Sequence, residues 1–222
     1  MTDAPYAAPG AAWTVVIPVK GAPAAKSRLG PTVDGDGRAV LARAFALDTI
    51  AAALTARSVA RVIVVGDDAS LAGGAEFLPE STEPGVERGL MPAIRRGIAH
   101  ARSARYVPVA VLLGDLPALR PEELDQALAA AARHPLAFVR DADGTGSTLA
   151  TAVAGVALEP RFGPGSAAQH VAAGFVELAA SGLPGLTRDV DTVDGLESVL
   201  HHGVGDHTAE AVARLADRKG TP

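Results

Sequence analysis

An α/β fold, with a mostly parallel central sheet and helices on both faces, is predicted by three observations. Three short β-rich apolar runs (14–18, 61–65 and 108–113) are each followed by a helical stretch, an alternation that builds parallel sheets through right-handed crossovers. The runs are nearly continuous in apolar residues, as strands covered on both faces are. Two of them end in Gly-Asp, at Gly66-Asp67 and Gly114-Asp115, where the chain must turn.

The elements follow in order. Met1 to Ala12, rich in Ala, Pro and Gly, reads as a loose leader, and 13–218 reads as one domain. Thr14-Val-Val-Ile-Pro18 is the first strand, and a polar loop carrying Lys20, Lys26 and Arg28 follows it. Arg38 to Ala56 has helical spacing, with Leu41, Phe45 and Ile50 near one face and Leu47 and Leu54 beside it. Arg61 to Val65 is a strand, and the helical stretch within 88–105 carries Pro92 in its first turn. Pro108 to Leu113 is the third strand. Pro121 to Arg133 is a helix that opens on Pro with Glu122 and Glu123 in its first turn, where the dipole favours anions. Beyond His134, strands are expected at 137–139 and 148–156 around the turn 141–146. A short helix is expected from Ser166 to Ala173, a strand at 175–178, a strand end at 187–191, and helices from Thr192 and from about His207. These later strands could pair antiparallel. There is no internal repeat and no dividing linker.

A chain of 222 residues suits one domain, and 48% apolar with 20% charged residues excludes global disorder. Twenty basic against twenty-five acidic residues give a net charge of −5, without the broad basic field that nucleic-acid binding needs. Aromatic residues are only 4%, too few for a base-stacking platform. The absence of Cys removes disulfides, thiolate metal sites and thiol nucleophiles. No basic leader with an apolar stretch marks secretion, and no apolar run approaches the ~20 residues of a membrane span, so a cytoplasmic protein is expected.

Ligands of open α/β sheets bind at the carboxyl ends of the strands. Asp115, Asp189 and Asp191 could meet there, and three carboxylates together call for a hard cation such as Mg²⁺. The plainer reading is that Asp115 fixes a turn and that Asp191 and Thr192 cap the next helix. The loop bearing Lys20, Lys26 and Arg28 could curl round an anion, though it is neither a Walker A loop nor a dinucleotide fingerprint; a solvated loop explains it as well. Phe162-Gly163-Pro-Gly-Ser166 offers backbone N–H groups and a hydroxyl, or simply a Ser N-cap. Thr148 and Ser147 follow a glycine-rich turn that a ligand could approach, or that is only a hairpin. His170, one helical turn after Ser166, could reach the same ligand. No His metal motif and no hydrolase elbow is present among the 222 residues.

Together, Ile17-Pro-Val-Lys20, Lys26-Ser-Arg28-Leu29, Gly114-Asp115-Leu-Pro117, Arg161-Phe-Gly163-Pro-Gly-Ser166 and Asp189-Val-Asp191-Thr192 resemble the guanylyltransferases of deazaflavin coenzyme (coenzyme F-420) biosynthesis, from about Trp13 to Leu200. The resemblance implies a single-domain Rossmann-like nucleotidyltransferase fold of the MobA-like, GT-A-like kind. It implies transfer of GMP from GTP to phosphoenolpyruvate, releasing pyrophosphate and forming enolpyruvoyl-2-diphospho-5'-guanosine. The same transfer to 2-phospho-L-lactate or 3-phosphoglycerate, another MobA-like or sugar-phosphate nucleotidyltransferase, and a non-catalytic nucleotide-binding module stay open beside it. By position, Asp115, Lys26 and Arg28 would be catalytic, and Thr148, Gly163 and Ser166 would bind the acceptor. Lys20, Lys26, Arg28 and Gly89 would meet the nucleotide, and Asp115, Asp189 and Asp191 would hold Mg²⁺. Neither nucleic acid nor membrane is an expected partner, and a homodimer is allowed. Relatives usually show Gly-Leu-Asn where this chain has Gly89-Leu90-Met91, and Met has no amide to donate.

Overall fold

The computed structural model describes residues 12–19, 33–81, 85, 87–103 and 106–220, the last three for their backbone alone. Its elements are β1 (Trp13–Pro18), α1 (Gly35–Thr55), β2 (Val59–Gly66), β3 (Glu76–Pro79), α2 (Leu90–Arg102), β4 (Val109–Leu112), α3 (Pro121–Ala131), β5 (Leu136–Arg140), β6 (Ser147–Ala152), α4 (Ser166–Ala172), β7 (Val176–Glu177), α5 (Pro184–Thr187), α6 (Val193–His202) and α7 (Asp206–Gly220). The strands form one sheet in the order β3-β2-β1-β4-β6-β5-β7. Only β6 runs against its neighbours, β4 and β5.

The chain steps from β1 outward to β2 and β3, then crosses back to β4 on the other side of β1. The order therefore reverses at the carboxyl ends of β1 and β4, which is where such sheets open a ligand crevice. The two crossovers use opposite faces. Ile50 and Ala53 of α1 pack with Val15, Ile17 and Val64 on one face, and Ile94 and Ile98 of α2 pack with Val16, Ile63 and Val65 on the other. Stepping in opposite directions with helices on opposite faces keeps the same handedness. Two glycines permit the close approach at the crevice. A Cβ on Gly66 would lie 2.6 Å from the Val19 carbonyl oxygen, and one on Gly114 would lie 3.2 Å from that of Pro18.

Helix α1 is not one-faced as its spacing suggests. Leu41 and Phe45 turn away from the sheet into a third cluster with Val190, Leu196, Val199 and Ala211, so the helix is buried on two sides. Its Asp48 is buried because the Oδ1 and Oδ2 atoms accept the His207 and Thr208 N–H groups at 3.0 and 2.8 Å, satisfying the otherwise open first turn of α7. Three further expectations are corrected. Edge strand β3 has no counterpart among the expected strands, being four residues long and ending in Pro79. Residues 187–191 are no strand: α5 ends at Thr187 and an extended connection follows. Strand β6 stops at Ala152, because Val153 opens a turn with Val156.

Candidate active site

The acidic cluster forms at the switch point. Asp115 follows β4, and its carbonyl accepts the Val190 N–H at 3.1 Å. That bond helps to register the connection after α5 against the end of β4. Val190 is fully buried in the third cluster, so extended geometry sends Asp189 and Asp191 to the opposite side, toward Asp115. One carboxylate oxygen from each of the three lies within 4.8 Å of the others. Three carboxylate oxygens this close are the donor type that would suit a hard divalent ion, which would offset their mutual repulsion. Thr49 fixes the turn from below: its hydroxyl accepts the Leu116 N–H at 3.0 Å and donates to the Phe45 carbonyl at 2.8 Å. Helix α6 is capped by Thr192, whose Oγ1 accepts the Gly195 N–H at 3.1 Å, so capping does not account for Asp191.

Beside the cluster lies a set of buried hydroxyls. Strand β6 starts where β4 ends, and the Leu113 N–H donates to the Thr148 carbonyl at 2.9 Å, two residues before Asp115. An irregularity in the β5–β6 register falls between Val139 and Arg140, opposite Leu149 and Ser147, and lets Thr148 stand out of the regular ladder. Thr148 Oγ1 and Ser166 Oγ are both buried without a hydrogen-bond partner. An oxygen left so costs about 1–3 kcal/mol unless another group meets it. Gly165 caps α4 with φ +69°, and Ser166 is the first helical residue rather than the N-cap. Gly163 has φ +122° and open space where a Cβ would stand. The β5–β6 turn docks onto this loop: Ala167 N–H donates to the Thr145 carbonyl at 3.2 Å, and a Cβ on Gly146 would come 3.8 Å from Ser166 Oγ.

His170 does not face a ligand. Its Nδ1 lies 2.9 Å from Ser147 Oγ and its Nε2 accepts the Arg161 N–H at 2.9 Å. Desolvation by burial pushes the imidazole down to about 4, so it is neutral at ordinary pH. Ser147 is thereby engaged, and of the two neighbouring hydroxyls it is Thr148 whose oxygen is unsatisfied.

The nucleotide-side cations Lys20, Lys26 and Arg28 lie outside the described residues. Gly89 is the N-cap of α2 at φ +128°, without a side-chain cap. It helps line a cavity of about 110 Å³ with Glu80, Ser81, Glu87, Arg88, Pro92 and Arg96. Met91 packs into the apolar cluster under α2. Glu80 and Ser81 are delivered by β3, whose signal in the sequence is only the Phe77-Leu78 pair before Pro79.

Residues 13–217 match the model of the family described as "Guanylyl transferase CofC like". A phosphoenolpyruvate guanylyltransferase of Streptomyces scabiei is 49% identical over 209 residues, covering 91% of this chain and 97% of the relative. One of Geodermatophilus obscurus is 48% identical, covering 94% and 98%. Among solved structures, a protein described as a nucleotide-diphospho-sugar transferase from Desulfovibrio desulfuricans superposes with a TM-score of 0.63 at 19% identity, over 84% of this chain and 85% of that one; at that identity the likeness is one of fold.

Proposed function

The chain belongs to the CofC-like guanylyl transferase family, and on that premise we propose that it transfers GMP from GTP to phosphoenolpyruvate with release of pyrophosphate. The observation that carries the acceptor half of this reading is the pair of orphaned hydroxyls, Thr148 Oγ1 and Ser166 Oγ, beside the acidic cluster. Each would donate to a phosphate or carboxylate oxygen of a small anionic acid, and Gly163 leaves room for the ligand to touch the backbone.

An oxygen of the acceptor phosphate attacks the α-phosphorus. The bond from that phosphorus to the α–β bridging oxygen breaks, and pyrophosphate leaves. The acceptor is already ionised near neutral pH, so no general base is required. The difficulty is anion against anion, and positioning with charge neutralisation answers it. Asp115, Asp189 and Asp191 would hold Mg²⁺, which supplies neutralisation between the two phosphates. Lys20, Lys26 and Arg28 would take the triphosphate and the departing pyrophosphate. The cavity beside Gly89 would take the base. Glu80, largely buried there, offers a carboxylate to the N1–H and 2-amino groups of guanine, donors that adenine lacks on that edge. A cytoplasmic setting suits both substrates.

The test is incubation with Mg²⁺, each of GTP and ATP, and each of phosphoenolpyruvate, 2-phospho-L-lactate and 3-phosphoglycerate, with the product identified by mass. Enolpyruvoyl-2-diphospho-5'-guanosine is expected from GTP and phosphoenolpyruvate. A faster reaction with another acid reassigns the acceptor, and nucleotide binding without pyrophosphate from any pair rejects catalysis.

A further inference from the structure

We propose that His170 is a positioning residue for the acceptor acid: its buried imidazole ties the Ser147–Thr148 end of β6 to the Arg161–Ser166 loop, so that Thr148, Gly163 and Ser166 are presented to one ligand together. This inference rests on the acceptor site proposed above and adds the group that assembles it.

The hydrogen bonds fix the ring's chemistry. A peptide N–H only donates, so Nε2, 2.9 Å from the Arg161 nitrogen, carries the lone pair. The proton of the neutral ring is therefore on Nδ1, which donates to Ser147 Oγ at 2.9 Å. Both nitrogens are used within the protein. The ring is fully buried among Phe138, Phe162 and Phe175, with centroids 5.2, 5.5 and 4.8 Å away. Burial in this aromatic cage keeps it uncharged, so Nε2 remains an acceptor at neutral pH.

A core position needs no such ring. Leu or Phe would fill a cage of three phenyl groups without burying polar atoms. What the imidazole adds is direction, because its two bonds run to two different chain segments. Thr148 is the residue after Ser147, Gly163 is two residues after Arg161, and Ser166 is one helical turn before His170. Each residue of the proposed acceptor set is thus tied to one ring, and two of them carry the buried hydroxyls without partners. Misplacing such donors by a fraction of an ångström weakens a ligand contact without touching the ligand itself.

The test compares His170→Phe, which keeps an aromatic ring but makes neither bond, with His170→Gln, whose side-chain oxygen can still accept from Arg161. Pyrophosphate release is measured while each substrate is varied at saturating levels of the other. In folded His170→Phe, KM for phosphoenolpyruvate rises about tenfold while KM for GTP changes little, and His170→Gln falls between it and wild type. The imidazole ¹⁵N spectrum of the wild-type protein shows Nδ1 protonated and Nε2 bare. If His170→Phe does not fold, His170→Gln alone is read: a raised acceptor KM supports the role and a wild-type value overturns it. An Nε2–H tautomer, or KM values for both substrates rising together, also overturns it. A wild-type protein that releases no pyrophosphate from GTP and phosphoenolpyruvate removes the proposed function and this inference together. A wild-type acceptor KM in a folded variant removes the inference alone.

Discussion

Replacing Thr148 by Val should move stability and acceptor binding in opposite directions. Thr148 is fully buried and its Oγ1 has no hydrogen-bond partner. Val has nearly the same shape, lacks the hydroxyl and favours a strand. Removing an unsatisfied buried oxygen recovers part of a penalty of about 1–3 kcal/mol. Taking about 1 kcal/mol as the gain, the midpoint of thermal unfolding without ligands should rise by about 2–4 °C in a protein of this size. The same change deletes a donor to a charged acceptor, worth about 1.5–3 kcal/mol, which raises KM for phosphoenolpyruvate about 10- to 150-fold. Differential scanning fluorimetry of the ligand-free protein reads the first effect, and pyrophosphate release at saturating GTP reads the second. Added phosphoenolpyruvate should shift the wild-type midpoint upward and leave that of Thr148→Val nearly unmoved. A variant that melts lower and binds the acid as well as wild type would refute the reasoning, because the hydroxyl would then be serving the fold.

Other perturbations test the frame and the acidic cluster. Asp115→Asn should lower turnover by about 100-fold or more with an unchanged circular-dichroism spectrum, the size expected for losing a major electrostatic group. Gly66→Ala places a methyl group 2.6 Å from the Val19 carbonyl oxygen, so the backbone must shift; a loss of about 1–3 kcal/mol in urea unfolding is expected. Acidification should expose His170. Its folded value of about 4 lies below the 6.5 of an ordinary imidazole, so between these the unfolded chain binds more protons, and stability falls as pH drops from about 6.5 toward 4, by up to roughly 3 kcal/mol. Glu76 and Glu177 are held below the usual carboxylate range by hydrogen bonds from His100 and Arg140, and their contributions are lost only at lower pH. Urea midpoints from pH 7 to 4 should therefore fall less steeply in His170→Phe than in wild type.

What was legible in the chain follows from local signals. Continuous apolar runs ending in Gly-Asp announced β2 and β4, and the Pro121-Glu-Glu start announced α3. The convergence of Asp115 with Asp189 and Asp191 was readable as chemistry, since three carboxylates at the carboxyl edge of a sheet would call for a common cation. The means was not readable: the Val190 N–H to Asp115 carbonyl bond, with no strand at 187–191, depends on tertiary register. Helix α1 misled because periodicity reports how apolar residues are spaced, not how many neighbours the helix has; two partners bury two faces. His170 misled in another way. The i to i+4 spacing from Ser166 correctly put both on one side of α4, but that side is an interior because Phe138 of β5 closes over the ring together with Phe162 and Phe175, which flank the helix. The choice between Ser147 and Thr148 likewise waited on the irregular β5–β6 register.

The charge balance leads to a final prediction. The protein carries a net charge of −5, gathers three carboxylates within 4.8 Å, and on the proposed reading must accept a phosphorylated acid beside them. Two unit charges about 8 Å apart repel by about 2 kcal/mol at an effective dielectric of 20. A phosphate dianion near that distance from three carboxylates would face more repulsion than two hydroxyl contacts of about 1.5–3 kcal/mol each return. Acceptor binding should therefore be coupled to occupation of the acidic cluster by a divalent ion. Isothermal titration of phosphoenolpyruvate into the chelator-treated protein should give no measurable heat, and added Mg²⁺ should restore binding. In Asp189→Asn and Asp191→Asn the Mg²⁺ requirement should move to higher concentration, since each has one anionic oxygen pair fewer for the ion. Equal affinity for the acid with and without Mg²⁺ would mean that the carboxylates and the orphaned hydroxyls serve separate ligands, and the two halves of the site would have to be argued apart.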